Sequence, residues 1–254
     1  MVGFGSDPNE CTKDCPMRGA GIWARLAFAA AIIAAVALLV ATAPRAEPSF
    51  RDFLQGLWPE AEAAGVRRGT FDAAITGLDK PDLSLPDLIL PGRSDGKSDS
   101  RGQAEFTRPP DKYLDKSYLE KLAAEGRVLL ARHKAALDRI EAESGVDRYS
   151  VLAIWGRDTA FGGHTLGYDA IRVLATQAYL GRRKDMFRAE LIAAIKMLEV
   201  GVPRSDMRSS WAGAVGLTQF MPTEYFLHAY DLDRDGKADI LRSVPDAPAS
   251  AARQ

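Results

Sequence analysis

Cysteine is nearly absent: the 254-residue chain has two, Cys11 and Cys15, both ahead of a long apolar run. Everything after that run folds without a disulfide and rests on its core alone. A Cys-x-x-x-Cys pair with no further ligands is weak evidence for a metal site, and neither cysteine stands where a lipoprotein signal would need it. Histidine is scarce too, and His133, His164 and His228 show no ligand spacing, which argues against a zinc hydrolase. An excess of one charge is also missing: the net charge is −1 and residues 47–254 carry 29 basic against 31 acidic side chains. No overall field draws such a chain to nucleic acid. The one cationic triplet, Arg182-Arg183-Lys184, reads as solvated surface before it reads as a polyanion contact. Sustained strand alternation, internal repeats, coiled-coil heptads and glycine-rich phosphate or dinucleotide loops are absent as well.

What is present is 46% hydrophobic and 26% charged residues, enough for one large or two small domains. Leu26 to Thr42 is an almost unbroken apolar run, preceded by Arg18 and Arg25 and followed by Ala41-Thr42-Ala43-Pro44-Arg45-Ala46. This order predicts a signal peptide over residues 1–46, cleaved after Ala46. The rival is an uncleaved N-terminal anchor over Ile22 to Thr42. Both place the remainder outside the cytoplasm.

Beyond the leader, Phe50, Phe53, Leu54, Leu57 and Trp58 fall at helical spacing, and Phe71, Ala74, Ile75 and Leu78 predict a second short helix. Five prolines and a polar stretch make residues 79–112 a covering loop, within which Leu83 to Leu90 has a partly alternating pattern. One long helix is predicted from Ser117 to Glu143, weakened at Gly126 and ended by Gly145. Asp147 caps the next, whose apolar face carries Val151, Ile154 and Trp155. Further helices follow over Asp169 to Leu180 and Asp185 to Val200, the last stopped by Gly201 and Pro203. The fold class is mostly α.

Three segments carry chemistry. In Tyr149 to Gly163, Asp158 ends an apolar helical pattern just before a small-residue turn, with spacing that puts it near the buried side of the helix, where a low dielectric raises a carboxyl toward general-acid duty. An acid beside a glycine turn also serves as a cap or a solvated group. In Ser209 to Pro222, small residues allow close backbone approach and Gln219 offers an amide donor and acceptor, although a buried turn needs the same small residues. Asp231 to Asp239 places oxygen-bearing side chains at alternate positions with glycine at the sixth, the first half of a calcium loop. Its twelfth position is Arg242 where the bidentate Glu belongs, and the segment reads equally as an acidic turn held by Asx bonds.

With the first two segments in this order, the chain resembles the membrane-bound lytic transglycosylase B family from about Phe50 to its C-terminus. The resemblance implies a lysozyme-like transglycosylase domain over residues 47–254. It implies cleavage of the MurNAc–GlcNAc bond of peptidoglycan with 1,6-anhydromuramoyl ends, by a periplasmic protein that touches the membrane only through its N-terminal segment. In that family the helix ends in Glu-Thr-x-Phe-Gly or a close variant, and the Glu is the sole catalytic acid; here Asp158 holds that slot. Ser210 and Gln219 match substrate-contact positions, and Trp211 and Phe220 complete the expected substrate-binding set. Leu217 and Thr218 stand where some relatives have Tyr-Gly. The chemistry needs no cofactor. A structural calcium is implied at Asp231, Asp233, Asp235 and the Lys237 carbonyl within residues 231–242, with Asp239 or Asp246 as further ligands. Glu190 and Glu199 then default to surface or helix-pair roles. The family continues past the position of Gln254, so the resemblance implies a domain incomplete at its C-terminus and of marginal stability. The shorter acid implies a slow enzyme or, as the alternative, a catalytically inactive peptidoglycan-binding or scaffold protein.

Overall fold

Side chains that the sequence places at helix starts cap four of the described helices. The computed structural model describes residues 48–86 and 114–254 together with Leu88, Pro109 and Asp111; the expected leader or anchor over 1–46 and most of the expected covering loop lie outside the described residues. Ser49 accepts the Asp52 N–H and opens α1 (Phe50–Gly56), which Leu57 separates from α2 (Trp58–Ala63). The single stretch of helical spacing from Phe50 to Trp58 is thus two short helices. No side chain caps α3 (Arg68–Ile75) locally; Glu199 does so from across the domain, accepting the Arg67 N–H at 3.0 Å and the Arg67 Nε at 2.5 Å. These donors, with the Thr70 hydroxyl the strongest, hold the Glu199 carboxyl down at about 2.

Asp115 accepts the Tyr118 N–H to start α4 (Lys116–Arg132). The long helix expected from Ser117 to Glu143 is broken at His133, where ψ is 24°, and α5 (Lys134–Ser144) sets off from there. A straight helix of that combined length would run about 40 Å, whereas the 12-residue α6 (Arg148–Thr159) spans about 18 Å. The bend lets both α4 and α5 pack on α6. Gly145 and Asp147 act as the spacing predicts: the first ends α5, and the second accepts the N–H groups of Tyr149 and Ser150. Arg148 pairs with Asp138 and Glu141 and closes this corner.

β1 (Tyr168–Asp169) and β2 (Arg208–Ser209) form a two-stranded antiparallel ladder, Tyr168 opposite Ser209 and Asp169 opposite Arg208. Asp169 also caps α7 (Ala170–Leu180) by accepting the Arg172 N–H. Buried around nearly all of its circumference, α7 is the axis of the larger core, with α1 to α3 and α8 (Lys184–Glu199) packed about it. Ile171, Leu174, Leu191 and Ile195 are fully buried there, each contributing about 1.5–3 kcal/mol. After a 3-10 turn at Arg204–Asp206 come α9 (Pro222–His228) and α10 (Asp246–Ala251).

A smaller core joins α5, α6 and α10 through Leu137, Ile140, Val151, Trp155, Leu232 and Ala249, and Leu217 packs against both cores. The start of the expected covering loop lies on α7: the Asp82 N–H donates to the Thr176 hydroxyl, Leu85 is buried, and Gln177 donates to the Pro86 carbonyl. Among the described residues no helix is long and apolar enough to cross a membrane, and Leu26 to Thr42 lies outside them.

Candidate active site

Asp158 stands in the last turn of α6, and its surroundings correct the sequence expectation. The buried face of that helix is Val151, Leu152, Trp155, Gly156 and Thr159, while Ile154 is 49% exposed. Asp158 shares the open face with Ile154, four residues earlier. Packing against α4, α5 and α10 uses up the other faces. Its carboxyl is nonetheless raised above the ordinary carboxylate range, because the protein around it desolvates the charge, with the Arg157 charge working in the opposite direction. Solvent access combined with a raised proton affinity suits a group that must hand a proton to a ligand.

The turn after the acid is unusual. Ala160 and Phe161 are both left-handed, with φ of 49° and 56°, a conformation that costs roughly 1–3 kcal/mol per residue outside glycine. Phe161 is held there by its ring, which lies edge-on to Trp155 at 5.3 Å and rests on two glycines. A Cβ at Gly156 would sit 2.7 Å from the Phe161 Cζ, and one at Gly126 would sit 3.3 Å from it. Gly126 is therefore the seat of this ring as well as a weak point in helix propensity. The same ring helps to line an apolar groove of about 430 Å³ between α4 and α6, with Leu119, Leu122, Leu130 and Leu152.

The segment from Ser210 to Pro222 is a tight hairpin, with Val215 and Phe220 exchanging backbone hydrogen bonds at 2.8 and 2.9 Å. The Ser210 hydroxyl accepts the Ala214 N–H at 3.2 Å. Gln219 adopts a φ of 55° at the hairpin tip and donates one amide N–H to the Gly216 carbonyl at 3.2 Å. Its side chain also has a second N–H and an accepting oxygen. Ser210, Trp211 and Gln219 are each partly buried. Phe220 is not a surface for substrate: at 0% exposure it is a side chain of the larger core. Of the surface and helix-pair roles expected for Glu190, it takes the second. It is 7% exposed and accepts both the Thr223 N–H at 2.9 Å and the Thr223 hydroxyl at 2.6 Å, so it caps α9 directly behind the hairpin.

A side-chain hydrogen bond joins the acid-bearing helix to the hairpin: Thr159 Oγ1 donates to the Leu217 carbonyl at 2.6 Å. Beside this joint lies a small cleft of about 250 Å³ with a mixed lining that includes Thr159, Gly162, His164, Arg208, Leu217 and Arg242.

In the acidic loop, carboxylate oxygens of Asp231, Asp233 and Asp246 come within 4.8 Å of one another. Asp246 is 1% exposed, and its oxygens accept the N–H groups of Leu232 and Asp239. Asp235 and Asp239 lie outside this group, each turned to backbone, Asp235 to the Lys237 N–H and Asp239 to those of Leu241 and Arg242. Lys237 lies on the exposed arc of the loop. The Asp233 carboxyl is raised, by desolvation first and then by the charges of Asp246, Asp235 and Asp231, against the Asp235 N–H that it accepts. Three convergent carboxylates, one of them fully buried, fit a hard divalent cation. The sequence ranked Asp246 behind the alternating aspartates because it lies beyond the loop's regular spacing; only folding brings it in.

Residues 49–254 match the model of the Transglycosylase SLT domain. The membrane-bound lytic murein transglycosylase B of Escherichia coli (strain K12) is 33% identical over 132 residues, which cover 50% of this chain and 36% of that enzyme. Among solved structures, SltB3 from Pseudomonas aeruginosa in complex with NAG-NAM-pentapeptide is 36% identical with a TM-score of 0.65, covering 81% of this chain and 52% of that one. The complex of SltB3 with NAG-anhNAM-pentapeptide gives 37% and 0.64 over the same shares. The Escherichia coli lytic transglycosylase Slt35 in complex with calcium is 27% identical with a TM-score of 0.51, over 56% of this chain and 45% of that one. The chain thus spans about half the length of SltB3 and about a third of the E. coli transglycosylase B. The mostly helical, lysozyme-like fold is common to this chain and SltB3, and with its match over residues 49–254 this chain belongs to the SLT lytic transglycosylase family.

Proposed function

We propose that the protein is a lytic transglycosylase that cleaves the MurNAc–GlcNAc bond of peptidoglycan glycan strands, with residues 47–254 as the catalytic domain carried to the periplasm by the segment over 1–46. The observation that carries this reading is the joint between Asp158 on α6 and the Ser210–Gln219 hairpin, made through Thr159 and Leu217. Kinship to SltB3, whose complexes hold NAG-NAM-pentapeptide and NAG-anhNAM-pentapeptide, supports the substrate class.

In this mechanism protonated Asp158 gives its proton to the glycosidic oxygen as the bond from that oxygen to the muramic C1 breaks. The muramic C6 hydroxyl then closes on C1, and its proton returns to the Asp158 carboxylate. One bond breaks, one forms, water does not enter, and the acid is regenerated. A second catalytic carboxylate, needed by ordinary glycosidases, has no part in it. Ser210 and Gln219 hold the sugar by hydrogen bonds, and Trp211 supports the cleft wall.

Sacculi incubated with the protein and analysed by mass spectrometry should yield muropeptides ending in 1,6-anhydromuramoyl residues. Binding to sacculi with no such products would instead establish a noncatalytic peptidoglycan-binding protein. The shortened acid, one methylene less than glutamate, is the observation that favours this second reading.

Asp231, Asp233 and Asp246 would hold a calcium ion of structural use, with the Lys237 carbonyl available from the loop. Calcium at millimolar concentration should then raise the thermal midpoint. The stabilisation amounts to about 2.7 kcal/mol when free ion exceeds its Kd by about 100-fold. Asp246→Asn should remove the response. A calorimetric titration that releases no heat and leaves melting unchanged would defeat the assignment.

A further inference from the structure

We propose that Thr159 is a positioning residue whose hydroxyl locks the last turn of α6 to Leu217 and thereby fixes where Asp158 presents its carboxyl. The inference rests on Asp158 being the acid of the proposed reaction. A threonine near the end of a helix ordinarily returns its hydroxyl to the carbonyl four residues back. Here that carbonyl, on Trp155, is 3.4 Å away, while the Leu217 carbonyl, 58 residues along the chain, accepts at 2.6 Å. The same oxygen accepts the Gly162 N–H at 2.9 Å, so one atom serves both the hairpin and the strained turn. Thr159 is 2% exposed, at the edge of the cleft that it helps to line.

Leu217 is a rigid anchor. Its own N–H donates to the Ile240 carbonyl at 3.0 Å, and its side chain packs on both cores. The adjoining turn supplies the need for such an anchor. Ala160 and Phe161 hold left-handed backbone, and without an acceptor for the Gly162 N–H the turn relaxes toward ordinary conformations. Asp158, one residue before Thr159, would move with it. Leu217 thus acts on the acid through Thr159 and needs no contact of its own with substrate, consistent with a position where the side chain is aliphatic.

The test compares the full chain with Thr159→Val, which keeps the volume and deletes the hydroxyl, and with Thr159→Ser, which keeps the hydroxyl. Three quantities are read: kcat and KM on soluble glycan strands, the NMR titration of the Asp158 carboxyl, and thermal unfolding. In folded Thr159→Val, kcat should fall by about 10- to 100-fold with KM changed less than about two-fold, as expected for misplacement of about 1 Å. The Asp158 titration should move down toward the ordinary carboxylate range as the loosened turn hydrates. Thr159→Ser should restore both. A folded valine variant with unchanged kcat and unchanged titration overturns the proposal, as does a loss that tracks only the unfolded fraction. Should valine prevent folding, Thr159→Cys, with its weak S–H donor, takes its place; an intermediate shift is expected and none overturns the idea. If the unmodified chain releases no anhydro products, the function proposed above fails on that result, and the titration by itself decides the role of Thr159.

Discussion

Asp158→Asn is expected to lower anhydro-muropeptide release from sacculi by at least about 100-fold, the usual worth of a positioned general acid, while sacculus binding persists. Asparagine keeps the size and the hydrogen-bonding oxygen of the side chain but carries no exchangeable acid proton. Retained binding with lost turnover separates the acid's role from recognition, and Gln219→Ala in parallel should weaken binding as well as turnover. Unchanged product formation in Asp158→Asn would rule out the catalytic assignment. The complementary change acts on reach: Asp158→Glu extends the carboxyl by one carbon–carbon bond, about 1.5 Å. If the shorter acid is what limits the enzyme, release should rise by roughly 10- to 100-fold, because misplacement of about 1 Å costs on the order of 100-fold. No gain in a normally folded Asp158→Glu protein would show that the site is built around aspartate or does not turn over. The open position of Asp158 on α6, beside Ile154 and away from the packed face, leaves room for the longer side chain.

The second large effect is on stability. Gly216→Ala is expected to destabilise the domain by about 2–5 kcal/mol, the sum of left-handed backbone for a residue with a Cβ and overpacking against a wall that does not yield. Gly216 has a φ of 77°, and a Cβ there would meet the Ile240 carbonyl oxygen at 2.5 Å. That oxygen is fixed, since it accepts the Leu217 N–H. Gly65 provides the control: its φ is 86° but nothing lies within 4 Å of an added Cβ. Gly65→Ala should therefore cost only about 1–2 kcal/mol. Urea unfolding of the two variants measures the difference, and equal midpoints would show that the contact with Ile240 gives way. A loss at Gly216 also disturbs Leu217, so it should slow turnover along with stability.

Much of this architecture is legible along the chain because its signals are local. Asp147, Gly145 and Asp169 bound their helices through bonds to residues two to four positions away. The acid slot, the hairpin and the alternating aspartates are likewise contiguous motifs. Tertiary structure decided what depends on residues distant in sequence. Whether Ser117 to Glu143 stays one helix depends on the length of α6 beneath it, and the break at His133 has no strong local signal. Ile154 is apolar and its spacing points it inward, yet three packing partners occupy the other sides of α6 and leave it exposed. Phe220 stands beside Gln219 in the motif, yet folding places it in the larger core. Glu190 became a buried cap, and Asp246 joined Asp231 and Asp233, because α8 and α10 fold against those loops. Thr159 shows the division within one residue. Its place after the acid is written in the sequence, but its bond to a carbonyl 58 positions away exists only once both cores have closed on Leu217.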